Sequence, residues 1–319
     1  MAMDLQKSKS NSIDAVLSFT KHVLSKEEYQ EKNLVFSPLS LYAALSVMAA
    51  GADGLTLDEL LSFLRFDSVD HLTTFFSQVL SPVLFSDDHL SFANGMWVDQ
   101  SLSIFHSFKQ LVSTHYKATL ASLDFQTKGD EVLPEVDSWV EKETNGHITD
   151  LVPPEAVTNS TRFIFANALR FNDETDKLSS KSGFFKGKLP RKKKPVRCLR
   201  IPKFSISSTF QASDMLKKVG VLSPFSPQDA DFTKMVEVNS TSDKLYVENI
   251  FHKVSIQVTE QGTEATAATV GIGRAPTGGF EPPPSRRIDF VADHPFLFLI
   301  REDFTGTILF IGQVLNPRH

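Results

Sequence analysis

The residues with the clearest chemical potential lie near the C-terminus, between two apolar runs, from Glu260 to Pro284. Gly271 to Pro284 is rich in glycine and proline and carries one cation, Arg274, followed by Ala275, Pro276 and Thr277. Such a stretch stays irregular and exposed, and an exposed arginine on an accessible backbone is a protease substrate. Trypsin-like serine proteases receive it in a pocket with a buried acid, and papain-like and caspase-like cysteine proteases of plants also accept Arg or Lys. The plainer reading of Arg274 is an ordinary surface arginine. The half before it differs in kind. Thr263, Glu264, Ala265, Thr266, Ala267, Ala268 and Thr269 are alanine and threonine apart from Glu264, with no glycine or proline to prevent extended pairing. The pattern is that of a bait that can be cut, preceded by a hinge that can become a strand.

The flanking elements must hold this arm. Val254, Ile256 and Val258 alternate against polar neighbours before it, and Ile288 to Arg301 is almost continuously apolar after it. Two strong strands are usually joined by a short turn, so the length of this connection needs a reason. Upstream, Arg162 to Phe171 reads as a strand buried on both faces, and Leu41 to Ala50 as an almost wholly apolar central helix. Ile13 to Leu24 predicts an amphipathic helix. Thr56-Leu-Asp-Glu59 has the form of a capping box ahead of a helix through Leu60, Leu61 and Leu64, and Ser68 to Val83 predicts a further helix. Leu90 to Val98 and Leu120 to Phe125 read as strands separated by a helical face from Phe105 to Tyr116. Val132 to Val140 traces a helix ending at Asn145-Gly146, a natural left-handed cap. The alternation resumes from Val196 through Ile206, and a short helix from Ala212 is closed by Gly220. With no internal repeat and no linker, residues 1–319 read as one α+β domain.

Several function classes are disfavoured. There is no Gly-x-Ser-x-Gly elbow, phosphate loop, His-Glu-x-x-His or Cys-x-x-Cys, and the nine histidines are scattered. The expectation is therefore no enzyme, no catalytic residue, no metal and no cofactor. A formal net charge of -5 argues against attraction of the whole protein to nucleic acid. The basic run Arg191-Lys-Lys-Lys-Pro-Val-Arg197 admits a nuclear-import or polyanion role, with a solvated strand edge as the plainer reading. One cysteine, Cys198, cannot form an internal disulfide, and no stretch reads as a signal peptide or membrane span. These features favour a monomer in the cytoplasm, with no membrane partner; unconventional release is the remaining extracellular route. Asn159-Ser-Thr161 and Asn239-Ser-Thr241 fit the glycosylation pattern by chance in that setting.

Glu260-Gln-Gly262-Thr263-Glu264-Ala265 running into small residues, then Asp289-Phe-Val-Ala-Asp-His-Pro-Phe-Leu-Phe298, Gly306-Thr-Ile-Leu-Phe-Ile-Gly312 and a closing Asn316-Pro, together resemble the serpins, and plant-type serpins most. The resemblance implies three β-sheets surrounded by helices, and inhibition of a serine or cysteine endopeptidase by a suicide-substrate mechanism. In that mechanism the cut arm, residues 260–286, enters the main sheet as an extra strand and drags the acylated protease with it. The hinge would then be Glu260, Gly262 and Thr263 to Thr269. The scissile residue of such inhibitors stands thirteen places after the hinge threonine. From Thr263 that count reaches Pro276, ahead of Thr277, whereas a slightly shorter insert would be cut at Arg274-Ala275. The polar cluster that gates sheet opening matches Ser37, Ser40, Asn167 and His252; satisfied buried polar groups are the plainer reading. The resemblance runs nearly end to end but fails after Phe171. Asn172, Asp173 and Thr175 stand where Lys, Gly and Trp are expected, and the chain then jumps almost at once to Phe184-Phe185. Relative to the family a block is missing near 172–190, which depletes the second and third sheets and should leave core faces uncovered. The alternative function is a non-inhibitory, binding or vestigial serpin-like protein whose loop is at most a plain substrate.

Overall fold

Pro38 ends the first strand, β1 (Leu34–Phe36), and starts α1 (Pro38–Gly51). Ser37 caps α1: its hydroxyl oxygen accepts the Ser40 amide at 3.1 Å, pairing one of the amides that every helix N-terminus leaves free. α1 is apolar on all sides and almost wholly buried, as its composition predicts. In this computed structural model the described residues are 23, 31–85, 90–158, 160–173, 196–237, 244–259, 288–302 and 307–317. Of the first predicted helix only Val23, helical and buried, lies among them.

The next helix, α2 (Gly54–Leu64), starts before the predicted capping box. Asp53 is the cap, accepting the Gly54 amide at 3.0 Å. Thr56 and Glu59 lie inside the helix and serve distant backbone instead. Thr56 Oγ1 accepts the Asp231 amide at 2.9 Å, and Glu59 Oε2 accepts the Leu222 and Ser223 amides at 2.7 Å each. Tertiary amides with no other partner outcompeted the local motif. The predicted fourth helix is α3 (Val69–Phe75) and α4 (Ser81–Phe85) joined through a wider π turn over 76–80.

Thereafter come β2 (Leu90–Asp99), β3 (Ser103–Ile104), α5 (His106–Leu111), β4 (Thr119–Leu123), α6 (Gly129–Glu143) and β5 (Phe163–Asp173). α6 ends at Asn145 and Gly146, with φ of 53° and 78°, the left-handed cap read from the sequence. β6 (Val196–Arg200), β7 (Phe204–Gln211), α7 (Ala212–Lys218), β8 (Val236–Glu237), β9 (Ile250–Val258), β10 (Ile288–Val291), β11 (Phe296–Arg301) and β12 (Ile308–Val314) complete the described chain.

The strands form a five-stranded sheet in the order β4-β2-β5-β9-β7, a three-stranded sheet β1-β12-β11, and two-stranded sheets β10-β6 and β3-β8. β5 is the centre of the large sheet and is buried on both faces, which explains its nearly unbroken apolar run. Phe163, Phe165, Leu169 and Phe171 point to the core that contains α1. Ile164, Ala166 and Ala168 point to a second core against the valines of α6. The smaller sheets are exposed where strands are few: Leu199 and Ile201 at β6, Phe290 and Val291 on β10 and Leu297 on β11 are 43–64% exposed. Among the described residues no helix is long and apolar enough to cross a membrane, and no group of three metal-ligating side chains converges.

Candidate functional site

The hinge residues Glu260, Gly262 and Thr263 to Thr269, and the cleavage candidates Arg274, Ala275, Pro276 and Thr277, lie outside the described residues, as does the basic run over 191–195. The structure does describe the two anchors of the arm. β9 leads into it from the five-stranded sheet, and β10 receives it in a different, two-stranded sheet. β9 and β10 are therefore not the two strands of a hairpin.

β9 lies between β5 and β7, parallel to the first and antiparallel to the second. The parallel register runs from Phe165 opposite Ile250 to Asp173 opposite Val258. A chain folding back after Val258 must run antiparallel to β9. Placed between β9 and β7 it would convert an antiparallel pair into one antiparallel and one parallel contact. Placed between β5 and β9 it would be antiparallel to both, replacing the less stable parallel pairing with two antiparallel ones. Of the two seams that flank β9, the β5–β9 seam is therefore the one that gains more from one more strand.

A row of polar side chains crosses that seam on the α1 side. Asn94 on β2, Asn167 on β5 and His252 on β9 stand directly opposite one another in register, each a buried polar residue flanked by apolar residues on the core face of its strand. The Ser40 hydroxyl, on α1, donates to Asn167 Oδ1. His252 Nδ1 lies 3.0 Å from the same oxygen. A carbonyl oxygen only accepts, so Nδ1 carries the proton in this contact. Asn167 Nδ2 donates to Asn94 Oδ1 at 3.4 Å. Ser37 stands one step back, capping the helix turn that aims Ser40. The structure thus brings Ser40, Asn167 and His252 into direct contact and gives Ser37 a supporting place.

Burial dominates the electrostatics here. His252 is 2% exposed and stacked on Phe210 with 6.2 Å between ring centroids; desolvation lowers its pKa to about 3. Its Nε2, and Nδ2 of Asn94, are buried with no hydrogen-bond partner. The row is therefore incompletely satisfied at both ends and bonded only at the seam. Asn94 was not among the residues singled out from the sequence. The signal that finds it is register, since it falls opposite Asn167 once β2 and β5 are paired.

On the other face, α6 covers the sheet beside the seam. The Trp139 ring meets Trp97 edge-on at 4.8 Å between centroids, and its Nε1 donates to Thr119 Oγ1 at 3.1 Å. Gly95 makes this approach possible: a Cβ there would lie 2.6 Å from Trp97 and 2.7 Å from Trp139. From β9, Lys253 reaches the chain that follows α6 and donates to the Thr149 carbonyl at 2.6 Å.

The family described as Serpin (serine protease inhibitor) matches residues 14–177 and 175–317, two segments that meet after β5. Serpin-ZX of Arabidopsis thaliana is 37% identical over 396 aligned positions, spanning 99% of this chain and 100% of that protein. Serpin-Z1C of Triticum aestivum is 34% identical, spanning 99% and 98%. The alignment to Serpin-ZX has more positions than this chain has residues, 396 against 319, so some positions of that relative have no counterpart here. Among solved structures, the native stressed conformation of Arabidopsis AtSerpin1 superposes with a TM-score of 0.84 at 36% identity, covering 99% of each chain. On the order of its sheets, its arm between β9 and β10 and these matches along its length, the chain belongs to the serpin family.

Proposed function

We propose that this chain inhibits serine or cysteine endopeptidases as a suicide substrate, with trypsin-like, papain-like and caspase-like enzymes as the candidate targets. The observation that carries the proposal is the parallel β5–β9 seam, which lies beside the strand that leads into the arm. A protease attacks the arm at Arg274-Ala275 or Pro276-Thr277 and is acylated. The freed segment from Thr263 to Thr269 then folds back along β9 into the seam, and its alternate small side chains fit beneath α6 and above the α1 core. The sheet gains two antiparallel interfaces for one parallel interface, which favours insertion over release.

Ser37, Ser40, Asn167 and His252, joined by Asn94, act as the gate. Opening the seam must break the Asn167–His252 hydrogen bond, leaving buried polar groups unpaired at a cost of about 1–3 kcal/mol each until the incoming strand arrives. The gate therefore delays opening until cleavage supplies a strand. We further infer that residues 1–319 form one domain and that the missing block falls near 172–190, a placement supported by the break between the two family matches at 175–177.

The test is incubation of the full chain with trypsin and with a papain-like protease, followed by a denaturing gel. A band at the summed mass of protein and protease supports trapping, and its sequenced junction decides between Arg274 and Pro276. A clipped chain beside fully active protease would sink the proposal. That outcome would favour the second reading, a non-inhibitory serpin whose loop is only a substrate; the exposed apolar side chains on β6, β10 and β11 are the observation on its side.

A further inference from the structure

β11 is the outer strand of the sheet β1-β12-β11, and among the described residues it pairs on one side only, with β12. One face is anchored: Phe296 and Phe298 meet Phe204 of β7 with 6.2 and 5.3 Å between ring centroids. The other is open, and Leu297 on it is the most exposed large apolar side chain among the described residues. An edge strand offers its backbone N–H and C=O groups to any other strand, and proteins ordinarily blunt it with charge, polar residues, proline, a bulge or a cover. The other outer strands here are blunted. β4 carries Thr119 and Ser122, β7 carries Ser205, Ser207 and Thr209, β6 carries Arg200 and β10 Asp289. β1 is three residues long, and its Val35 amide donates to Ser208 Oγ at 3.1 Å. From Phe296 to Ile300, β11 has no charge, proline or polar side chain, and the register shift near its end skips Leu309, a residue of β12.

The strand is also complementary to itself. A two-fold axis through Phe298, normal to the sheet, sets two copies of β11 antiparallel and keeps each face on its own side. Leu297 then stands opposite Leu299 of the second copy and Phe296 opposite Ile300, so apolar meets apolar at every step. With the axis at Leu299, Leu297 would face Arg301; with it at Leu297, Leu299 would face Pro295. The Phe298 register is the one the side chains favour. It also brings Arg301 of each copy diagonally toward the exposed Asp293 of the other, opposite charges at both ends of the contact.

We propose that β11 is the contact surface for a second copy of this chain, the two pairing edge to edge into one continuous sheet β1-β12-β11-β11-β12-β1. A different partner would need a bare strand that is apolar on both faces and matches this register; every copy of the chain already carries one. The two-fold contact uses up both edges, so it closes at a dimer. Six residues from each copy, with their neighbours, hide roughly 800–1,000 Å², the low end for specific complexes, so the dimer is reversible and the monomer expected from the sequence is its dilute form. The surface lies apart from the arm and the β5–β9 seam, and its pairing does not depend on protease capture.

The experiment is analytical sedimentation of the full, uncleaved chain from about 1 to 200 μM, with circular dichroism at the lowest concentration to show that each variant is folded. The mass should rise from one chain to two. Leu297→Lys, at an exposed position, should raise the dissociation constant at least tenfold, and so should Leu299→Glu. The double variant should return to within threefold of the parent, because each introduced lysine then faces an introduced glutamate of the other copy. Where Leu299→Glu fails to fold, Leu297→Lys alone decides. A single-chain mass throughout would overturn the proposal and place the cover of this edge within the chain itself. A dimer that Leu297→Lys leaves intact, or a folded double variant no tighter than the single ones, would overturn it as well.

Discussion

Replacing Asn167 by alanine tests whether the polar row holds the seam, because its side chain alone links all the other members. Asn167 is fully buried, and truncation removes the acceptor for the Ser40 hydroxyl and for the Nδ1 proton of His252, together with the donor to Asn94. Two donors left unpaired in the interior cost about 1–3 kcal/mol each. The cavity adds to this, so the native state should lose about 3–5 kcal/mol, a large share of ordinary folding stability. Asn94→Ala is the matched control. It deletes an amide donor that has no partner and a long 3.4 Å contact, so these two nearly cancel and the change should be little more than the cavity term, about 1–2 kcal/mol. Trp97 and Trp139, the two tryptophans, sit together between β2 and α6 and report opening of the sheet by fluorescence. With a urea slope of about 3 kcal/mol/M, Asn167→Ala should lower the midpoint by about 1–1.7 M and Asn94→Ala by about half a molar or less. Equal shifts for the two variants would refute the reasoning, since Asn167 would then matter only as volume. A second consequence is kinetic: Asn167→Ala should open the seam without cleavage and lose inhibitory capacity on storage faster than the parent.

Three further outcomes are expected. His252 is neutral when folded, with a pKa of about 3 against an ordinary 6.5, so the unfolded chain binds the extra proton as pH falls below 6.5. Stability is then full above pH 6.5 and lost on acidification toward pH 3, by about 2 kcal/mol between pH 7 and pH 5. Urea midpoints at those two pH values should show that loss, and His252→Gln should abolish it. Thr263→Arg places a long charged side chain in the segment that must enter a packed interior, so kinetics with an otherwise susceptible protease should turn from inhibition to turnover; unchanged stoichiometry of inhibition would remove the hinge assignment. Leu297→Glu, at the most exposed of the large apolar side chains on β11, should leave the unfolding free energy from urea melts within about 0.5 kcal/mol and reduce light scattering on warming.

Legibility in the sequence followed burial. β5 could be read directly because a strand covered on both faces needs apolar residues at nearly every position, and α6 because its valine spacing and Asn145-Gly146 are each local signals. The α2 start was misread because Thr56 and Glu59 answer to Asp231, Leu222 and Ser223, residues far along the chain that no local pattern can reveal. The π turns over 76–80 after α3 and over Val112–Tyr116 after α5 were invisible for the same reason: periodicity over so few residues does not distinguish one extra residue per turn. The gate divides the case. Ser37, Ser40, Asn167 and His252 were legible only through family resemblance, since a single polar residue in an apolar strand has no distinguishing neighbour. Asn94 escaped even that, although Phe92-Ala-Asn94-Gly-Met96, Phe165-Ala-Asn167-Ala-Leu169 and Ile250-Phe-His252-Lys-Val254 share one form, a polar residue alone on an apolar face. Pairing the strands turns three such isolated oddities into one row.

The arm's attachment to two sheets also fixes what a cut molecule is. Before cleavage, β9 and β10 belong to one covalent chain, and the C-terminal strands find their places at an effective concentration set by that tether. Once the arm is severed, β10, β11 and β12 form a separate polypeptide, kept in place by pairing with β6 and β1 and by the burial of β12 along its whole length. The folded product stays together, but its unfolding becomes a dissociation and its refolding a second-order reaction that slows on dilution. An intact molecule can unfold and try again. A cleaved one that unfolds at low concentration must first meet its other half, so under the proposed mechanism the commitment to a single use is enforced by stoichiometry as much as by energy.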